Sequence, residues 1–411
     1  GGDLVVIASI LALDPLLVDD LTAGDVLVVV VKAVLALVLL LVSVLFMVWF
    51  ERKAISDLQN RIGPNRAGPF GLFQTVADGL KFFMKEDSLP DRADKRVFIL
   101  APYLTAIPAF LVFAVIPIGG DFTDGKRGEI TVFGHQTLMQ LADPPVGVLF
   151  ILAMSSVAVY GIMLAGWSSG SKYPLLGSVR ASAQMVSYEA ALGLSVVTVV
   201  LVSGTLSTNG IVDSQASSWW PFLDWNIVTT GVVPFIIFLI AATAELNRPP
   251  FDLVEAEQEL VGGFNTEYSS FRFALFFLAE FMNTVTMSAI IVTLFLGGPN
   301  GPVPIGPGWI WGTIWFSAKL FGFLFMFVWF RATLPRVRYD QLMMLGWKVL
   351  IPLALGWFLL ITAFRVGDDE GWNPFLVAGA GVVVMAIGYG LLQAAQWSAR
   401  RNRELEGEVG I

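Results

Sequence analysis

The sequence predicts an all-α fold, a polytopic bundle of about nine transmembrane helices with an interfacial amphipathic helix and a helical acidic cytoplasmic loop. Of the 411 residues, 56% are hydrophobic and 14% are charged, whereas soluble domains carry about 25% charged residues. The mean hydropathy is +0.73. Several apolar stretches also approach the roughly 20 residues that a helix needs to cross a bilayer. These observations argue against a soluble globular fold.

The predicted elements begin with an apolar run at residues 4–13. This run is too short to span a bilayer and lacks the basic flank of a signal peptide, so we expect residues 1–24 to form an exposed or interfacial segment outside the membrane. Apolar length then predicts spans near residues 25–50, 98–117, 146–166, 186–203, 228–244, 274–297, 309–331, 347–364 and 375–397.

The distribution of lysine and arginine tests this series of spans, because these residues accumulate in cytoplasmic loops. The loops and tail on one side carry 20 of them, and the loops on the other side carry 3. The sequence therefore predicts an N-terminus outside the membrane and a cytoplasmic C-terminus.

One cytoplasmic loop has its own helical pattern. After a turn rich in glycine and proline, the segment at 70–87 places Phe73, Val76, Leu80 and Phe83 at helical spacing. This pattern predicts an amphipathic helix in the membrane interface. A simple lipid-facing anchor is the alternative interpretation.

Ionisable side chains also fall inside predicted spans, where they are costly and often belong to ion paths or structural pairs. They are Lys32, Glu189, Glu245, Glu280 and Lys319. Each one alone is as compatible with a local contact as with a functional role. Three acids in adjacent spans favour function.

A further acidic cluster follows Pro249 and Pro250. Asp252, Glu255 and Glu259 have the spacing of one helical face. Crowded carboxylates near low dielectric raise one another's pKa, as a proton relay near neutral pH requires. A solvated acidic face is the alternative.

Cysteine is absent from the sequence, and histidine occurs once. The usual ligands of iron–sulfur clusters, haem, zinc and copper are therefore missing, and we expect this protein to hold no metal. His135 is interpreted as a polar residue of an outside loop. The sequence also contains no basic tracts of the kind that bind nucleic acid.

Four long segments together resemble one known family: ERKAISDLQNRIGPNRAGPFGLFQTVADGLKFFMKED (51–87), SYEAALGL (187–194), AELNRPPFDLVEAEQELVGGFNTEYSSF (244–271) and RATLPRVRYDQLM (331–343). The family comprises the H subunit of bacterial NADH-quinone oxidoreductase, which is respiratory complex I, and mitochondrial subunit 1. The likeness extends over residues 25–364.

The resemblance implies a non-redox subunit of a proton-translocating NADH:quinone oxidoreductase in the bacterial plasma membrane. Residues 25–364 would form the eight-helix core of the quinone chamber, and residues 365–411 would add a ninth helix and a cytoplasmic tail. Quinone would be the bound substrate, reduced by an iron–sulfur cluster of a neighbouring chain, with no metal or flavin held here. The implied partners are the iron–sulfur subunits of the peripheral arm, neighbouring membrane subunits and the lipid bilayer.

The resemblance also assigns roles to single residues. The quinone site would contain Glu51, Arg52, Asp78, Lys81, Arg248 and Asp252. The proton relay would contain Glu189, Glu245, Glu255, Glu257, Glu259, Glu267 and Glu280. A loop facing the peripheral subunits would contain Arg336, Arg338 and Asp340.

Other interpretations stay open at this point. Related chains anchor membrane-bound hydrogenases, although the full acidic segment after Pro250 looks closer to the quinone-linked form. An autonomous cation/proton transporter also needs intramembrane acids, and it would move ions when reconstituted alone. A purely structural anchor would need the acidic loop for assembly and not for turnover.

Overall fold

A computed structural model describes residues 23–122, 126–132, 134–216, 222–253 and 261–372, with scattered helical residues between 379 and 398. The chain divides into two compact units, Gly1–Ile351 and Pro352–Ile411. The predicted segment 1–24 lies almost wholly outside the described residues, as does most of the ninth span.

The described fold is almost entirely helical. The helices, numbered along the chain, are α1 (Ala23–Leu58), α2 (Gln74–Met84), α3 (Lys95–Phe113), α4 (Gly147–Ser168), α5 (Lys172–Ser203), α6 (Thr208–Ser214), α7 (Asn226–Thr229), α8 (Val232–Glu245), α9 (Ser270–Phe295), α10 (Gly308–Thr333), α11 (Tyr339–Leu345) and α12 (Ile351–Asp369). Short 3-10 turns lie at Pro69–Gly71 and Gly263–Asn265, and a π-helical turn at Gly346–Leu350 joins α11 to α12.

Seven helical segments of the described chain are long and apolar enough to cross a membrane. They are α1, α3, α4, α5, α9, α10 and the continuous stretch from α11 to α12. In α9, 72% of the most apolar stretch is buried, against 11% in α1. Helix α9 is therefore enclosed by other helices, whereas most of α1 is exposed on this chain. This architecture confirms the predicted polytopic helical bundle.

Two predicted spans have different lengths in the structure. The fifth, predicted at 228–244, contains the 14-residue helix α8, which is shorter than a full crossing. Gly231, with φ of 80°, separates α7 from α8. The fourth span begins at Lys172, well before residue 186, because buried polar residues such as Ser178 and Gln184 continue the helix where hydropathy is low. Glu189 consequently lies in the middle of α5.

A small sheet was not predicted. Strands β1 (Glu129–Val132) and β2 (His135–Leu138) form an antiparallel hairpin. His135 is thus a strand residue, and its Nδ1 lies 2.7 Å from Asp25 Oδ1 on α1. The interpretation of His135 as a loop residue was wrong, because four-residue strands leave too little alternation to detect.

Helix α2 confirms the predicted helix in the first long loop. Its apolar residues Val76, Leu80 and Phe83 are exposed on the isolated chain, as is the preceding Phe73. Its position at the membrane interface stays a prediction.

The acidic loop between α8 and α9 is described at residues 246–253 and 261–269. These parts contain turns and one 3-10 turn, and the helix predicted to follow Pro250 falls mainly on residues outside them. Glu255, Glu257 and Glu259 lie outside the described residues, so the face predicted for Asp252, Glu255 and Glu259 stays a prediction.

Candidate functional site

A cavity with empty space of about 670 Å³, which includes its opening to solvent, lies among α3, α4, α5, α8, α9 and α10. Its apolar wall includes Met185, Phe264 and Phe276, and its polar wall includes Arg248 and Asp252. Concave sites that combine apolar side chains with a few polar groups are typical of small-molecule binding.

A buried charge cluster forms the polar side of this cavity. Arg248 Nη1 donates to Glu51 Oε2 at 2.9 Å and to Glu51 Oε1 at 3.2 Å. Arg248 Nη2 lies 3.3 Å from Glu280 Oε1, and Arg331 also donates to Glu51. The Arg248 guanidinium lies over the Phe281 ring at 4.7 Å. The cluster therefore joins α1, α9 and α10 to the loop after α8.

Backbone turns bring Arg248 inward. Helix α8 ends at Glu245, Asn247 has a φ of 51°, and the Pro249–Pro250 peptide bond is cis. Gln184 Nε2 on α5 donates to the carbonyl oxygens of Ala244 and Phe251 at 2.7 and 2.9 Å. The fully buried amide of Gln184 thus holds both sides of this turn.

Two further acids are held by hydroxyl groups. Ser155 on α4 donates to Glu245 Oε1, and the next residue, Ser156, donates to Glu189 Oε1 on α5. Among the described residues, Glu245 Oε2 is buried and has no hydrogen-bond partner.

Glu245 also lies where three cavities approach one another. It lines the cavity beside Arg248 and two smaller neighbouring ones. Met287 and Ile290 of α9 line both of the smaller cavities. A path of cavities therefore leads from the charge cluster into the bundle.

The residues predicted for quinone binding fall into two groups. Glu51, Arg248 and Asp252 lie at or beside the cavity, where Asp252 accepts from Arg336 Nη2 at 2.9 Å. The others lie at the surface: Arg52 pairs with Asp78 at 2.5 Å, and Lys81 is exposed.

Of the predicted relay residues, Glu189, Glu245 and Glu280 are brought together around α4, α5, α8 and α9. Glu267 is half-buried in the loop before α9. Sequence reasoning missed Ser155, Ser156 and Gln184, because their partners lie far away in the chain and no local pattern marks the contacts.

The intramembrane lysines make local contacts. Lys319 donates to the carbonyl oxygens of Leu296, Gly298 and Asn300 at 2.7–2.9 Å, just after α9 ends, and lies over the Trp225 ring. Lys32 donates to Thr137 Oγ1 in β2 at 2.8 Å. For Lys319, the contacts favour the structural interpretation over a functional one.

Within the described part of the chain, no group of three or more His, Asp or Glu residues has an arrangement that could hold a metal ion. The polar groups at the cavity are arginines, carboxylates and amides, which suit an organic ligand with hydrogen-bond acceptors.

Comparisons with known proteins identify relatives over most of the chain. Residues 31–362 match the family model described as NADH dehydrogenase. The H subunit of NADH-quinone oxidoreductase from Frankia alni is 52% identical over 387 residues, covering 92% of this chain and 82% of the relative. The corresponding protein of Frankia casuarinae is 50% identical with the same coverage, and that of Streptomyces avermitilis is 49% identical over 368 residues, covering 87% of this chain and 78% of the relative.

Proposed function

The chain belongs to the NADH dehydrogenase family, as an H subunit of NADH-quinone oxidoreductase, and from this we propose that its cavity beside Arg248 forms part of the quinone chamber. It is a multi-pass helical component of a multisubunit, proton-translocating membrane enzyme. The names of the relatives favour this interpretation over a hydrogenase anchor.

The observation that carries the proposal is the cavity whose wall combines apolar side chains with two arginines, Arg248 and Arg331. A quinone ring is flat and apolar, and its carbonyl oxygens accept hydrogen bonds. Met185, Phe264 and Phe276 supply apolar surface for the ring, while Arg248 and Arg331 supply donors. The carboxylates of Glu51 and Glu280 fix the Arg248 guanidinium.

Quinone reduction in this cavity is the first step in coupling electron transfer to proton translocation. Electrons reach the quinone from an iron–sulfur cluster of a partner subunit, and reduction also consumes protons. Removal of protons near the cavity changes the local charge, which is felt strongly by carboxyl groups in a low dielectric. Glu280, Glu245 and Glu189 then redistribute protons into the bundle, with Glu255, Glu257, Glu259 and Glu267 supplying the cytoplasmic side.

The surrounding arrangement follows from the charged loops. The arginine-rich loops face the cytoplasm, and Arg336, Arg338 and Asp340 face the iron–sulfur subunits of the peripheral arm. The N-terminus lies outside the membrane, which is the bacterial plasma membrane. The surface pair of Arg52 and Asp78, with Lys81, lies at the chamber opening beside α2, where quinone enters from the bilayer.

Photolabelling of the assembled complex with an azido-quinone tests the chamber. Label should enter peptides around Arg248, Asp252 and Phe276, and excess native quinone should prevent it. The substitution Arg248→Gln should reduce this labelling, whereas Lys95→Gln, at the start of α3 and outside the cavity lining, should leave it unchanged. Labelling confined to other subunits, or labelling here that native quinone does not displace, would contradict the proposal.

A further inference from the structure

Adjacent serines on α4 contact acids on two different helices. Ser155 bonds to Glu245 at the end of α8, and Ser156 bonds to Glu189 in the middle of α5. Consecutive helix positions point about 100° apart, so one helix can present hydroxyls to both neighbours. Among the described residues, neither of these acids pairs with a lysine or arginine; the ion pairs at the site involve Glu51 and Glu280 instead.

The hydrogen-bond geometry of Ser156 admits two arrangements. Its Oγ contacts Glu189 Oε1 and also lies 3.1 Å from the carbonyl oxygen of Leu152. A serine hydroxyl carries one hydrogen and can accept through its lone pairs. The hydroxyl can therefore donate to Glu189 or to Leu152, but it cannot donate fully to both.

The protonation of Glu189 selects between these arrangements. An ionised Glu189 only accepts, so the Ser156 hydroxyl turns to it. A protonated Glu189 donates its own hydrogen to Ser156 Oγ, and the serine hydrogen then turns to the Leu152 carbonyl. The acid keeps a hydrogen bond in either state, and the serine neither gains nor loses a hydrogen.

We propose that Ser155 and Ser156 are positioning residues of the carboxyl relay: each holds its acid, Glu245 or Glu189, through one hydrogen bond, and the bond of Ser156 reverses when Glu189 gains a proton. This inference rests on the proposed relay function of the two acids. Since a buried ionised carboxylate without a donor is strongly disfavoured, each serine lowers the cost of moving a proton off its acid.

Ser155 bonds one carboxyl oxygen of Glu245 and leaves the other available for proton exchange. It bonds Glu245 Oε1, while the buried Oε2 has no hydrogen-bond partner among the described residues and Glu245 lines all three cavities. Glu245 and Glu189 also interact electrostatically. A proton that leaves one acid therefore changes the energy of the other, and the bond from Ser155 fixes one oxygen of Glu245 while the second stays available for exchange.

The test uses the whole complex in proteoliposomes with Ser156→Ala, Ser156→Thr and the control Ser288→Ala. Ser288 is a buried serine of α9 whose hydroxyl, among the described residues, donates to the Thr284 carbonyl oxygen of its own helix. We expect Ser156→Ala to slow quinone-coupled proton translocation about tenfold, as loss of one hydrogen bond to a charged group predicts. Ser156→Thr restores it, Ser288→Ala leaves it unchanged, and NADH oxidation by an artificial acceptor stays the same in all.

Redox-induced infrared difference spectra give a readout that a packing defect would not reproduce. The carbonyl-stretch band that disappears in Glu189→Gln belongs to protonated Glu189. This band should shift in Ser156→Ala and return to its position in Ser156→Thr. If Ser156→Ala disturbs assembly, Ser156→Val against Ser156→Thr gives the same comparison, because the two side chains have nearly the same shape and only threonine has a hydroxyl.

Two results would overturn the inference. If Glu189→Gln abolishes coupled pumping while every Ser156 variant pumps and absorbs like the native complex, the relay stands and the serine has no role in it. If Glu189→Gln itself pumps normally, the relay assignment fails, and the inference fails with it.

Discussion

Arg248 is the buried cation on which the charge cluster of the site is built. Its side chain is 4% exposed and is shared by Glu51 and Glu280. Buried ion pairs do not guarantee stability, but removal of one partner leaves an uncompensated charge. The position of the Arg248 guanidinium is therefore set by both acids, and its positive charge in turn compensates theirs.

The substitution Arg248→Ala should destabilise the protein by about 3 kcal/mol, the lower end for breaking a buried pair, because Glu280 loses its arginine while Glu51 keeps Arg331. Thermal denaturation of the purified complex, followed by release of this subunit, measures the effect. The control is Arg52→Ala, whose pair with Asp78 is solvent-exposed and should be worth about 0–1 kcal/mol. Equal losses of stability in both variants would show that the Arg248 cluster is no more important than a surface pair.

The buried carboxyl of Asp143, which lies outside the membrane-spanning helices, should make local stability depend on pH. It lies before α4 and accepts from Ser207 Oγ at 2.8 Å through both oxygens. Burial, the largest cause, raises the pKa of its carboxyl above 3.8, although hydrogen bonds from Ser207 and Gln140 oppose this. A raised folded-state pKa means that the contribution to stability is complete below 3.8 and is lost as the pH rises through the folded value.

Amide exchange of residues 139–147, corrected for the intrinsic pH dependence of exchange, should therefore show easier opening as the pH rises above 3.8. Asp143→Asn should flatten this dependence because the side chain no longer titrates. An identical pH profile in the variant would assign the effect to another group.

Charged residues of the site were easier to predict from the sequence than their neutral partners. Glu189, Glu245 and Glu280 stand out because a carboxylate is rare in an apolar span. Ser155 and Ser156 do not, since serine in a helix usually bonds its own backbone. Their acids lie 90 and 33 residues away in the chain, so no local pattern reveals the contact.

Helix α2 places an apolar face next to the proposed chamber opening. Arg52 on α1 and Asp78 on α2 connect the two helices, and Trp49 Nε1 donates to the carbonyl oxygen of Phe70 at 3.0 Å. Exposed Leu80 and Phe83 then lie on the free side of α2. Their burial in lipid would fix the helix at the interface.

Leu80→Glu should raise the KM for quinone with little change in the rate with an artificial acceptor, since a charge on the apolar face lifts α2 from the bilayer. Steady-state kinetics with quinones of different tail length measure this. Lys85→Glu, an exposed change at the end of the same helix, controls for added negative charge. A native KM for quinone in Leu80→Glu would show that α2 does not contribute to quinone entry.

The sequence predicted that a helix exists wherever an apolar stretch was long enough. It did not predict where each helix begins and ends. Helix α5 extends through a polar stretch because Gln184 and its neighbours find buried partners. Helix α8 is short because Gly231, with a positive φ, interrupts the helical backbone before it and the turn at Asn247 follows it. Both effects come from tertiary contacts and backbone angles, which hydropathy does not record.

Across the N-terminal unit, the site is built around the enclosed helix α9. It contributes Glu280 to the charge cluster, Phe276 to the large cavity, and Met287 and Ile290 to the two smaller ones. The acids around the site differ in their partners: Glu280 has an arginine, whereas Glu189 and Glu245 have serine hydroxyls. Protons can move more easily on acids that are not neutralised by a fixed cation.

The ratio of protons translocated to NADH oxidised, measured for Glu245→Gln and Glu189→Gln complexes in sealed proteoliposomes, tests this account most directly. Glutamine keeps the size of the side chain and removes its titration. We predict that the ratio falls in both variants while NADH oxidation by an artificial acceptor continues at the native rate. A native ratio in both variants would contradict the claim that these carboxyl groups carry the coupling.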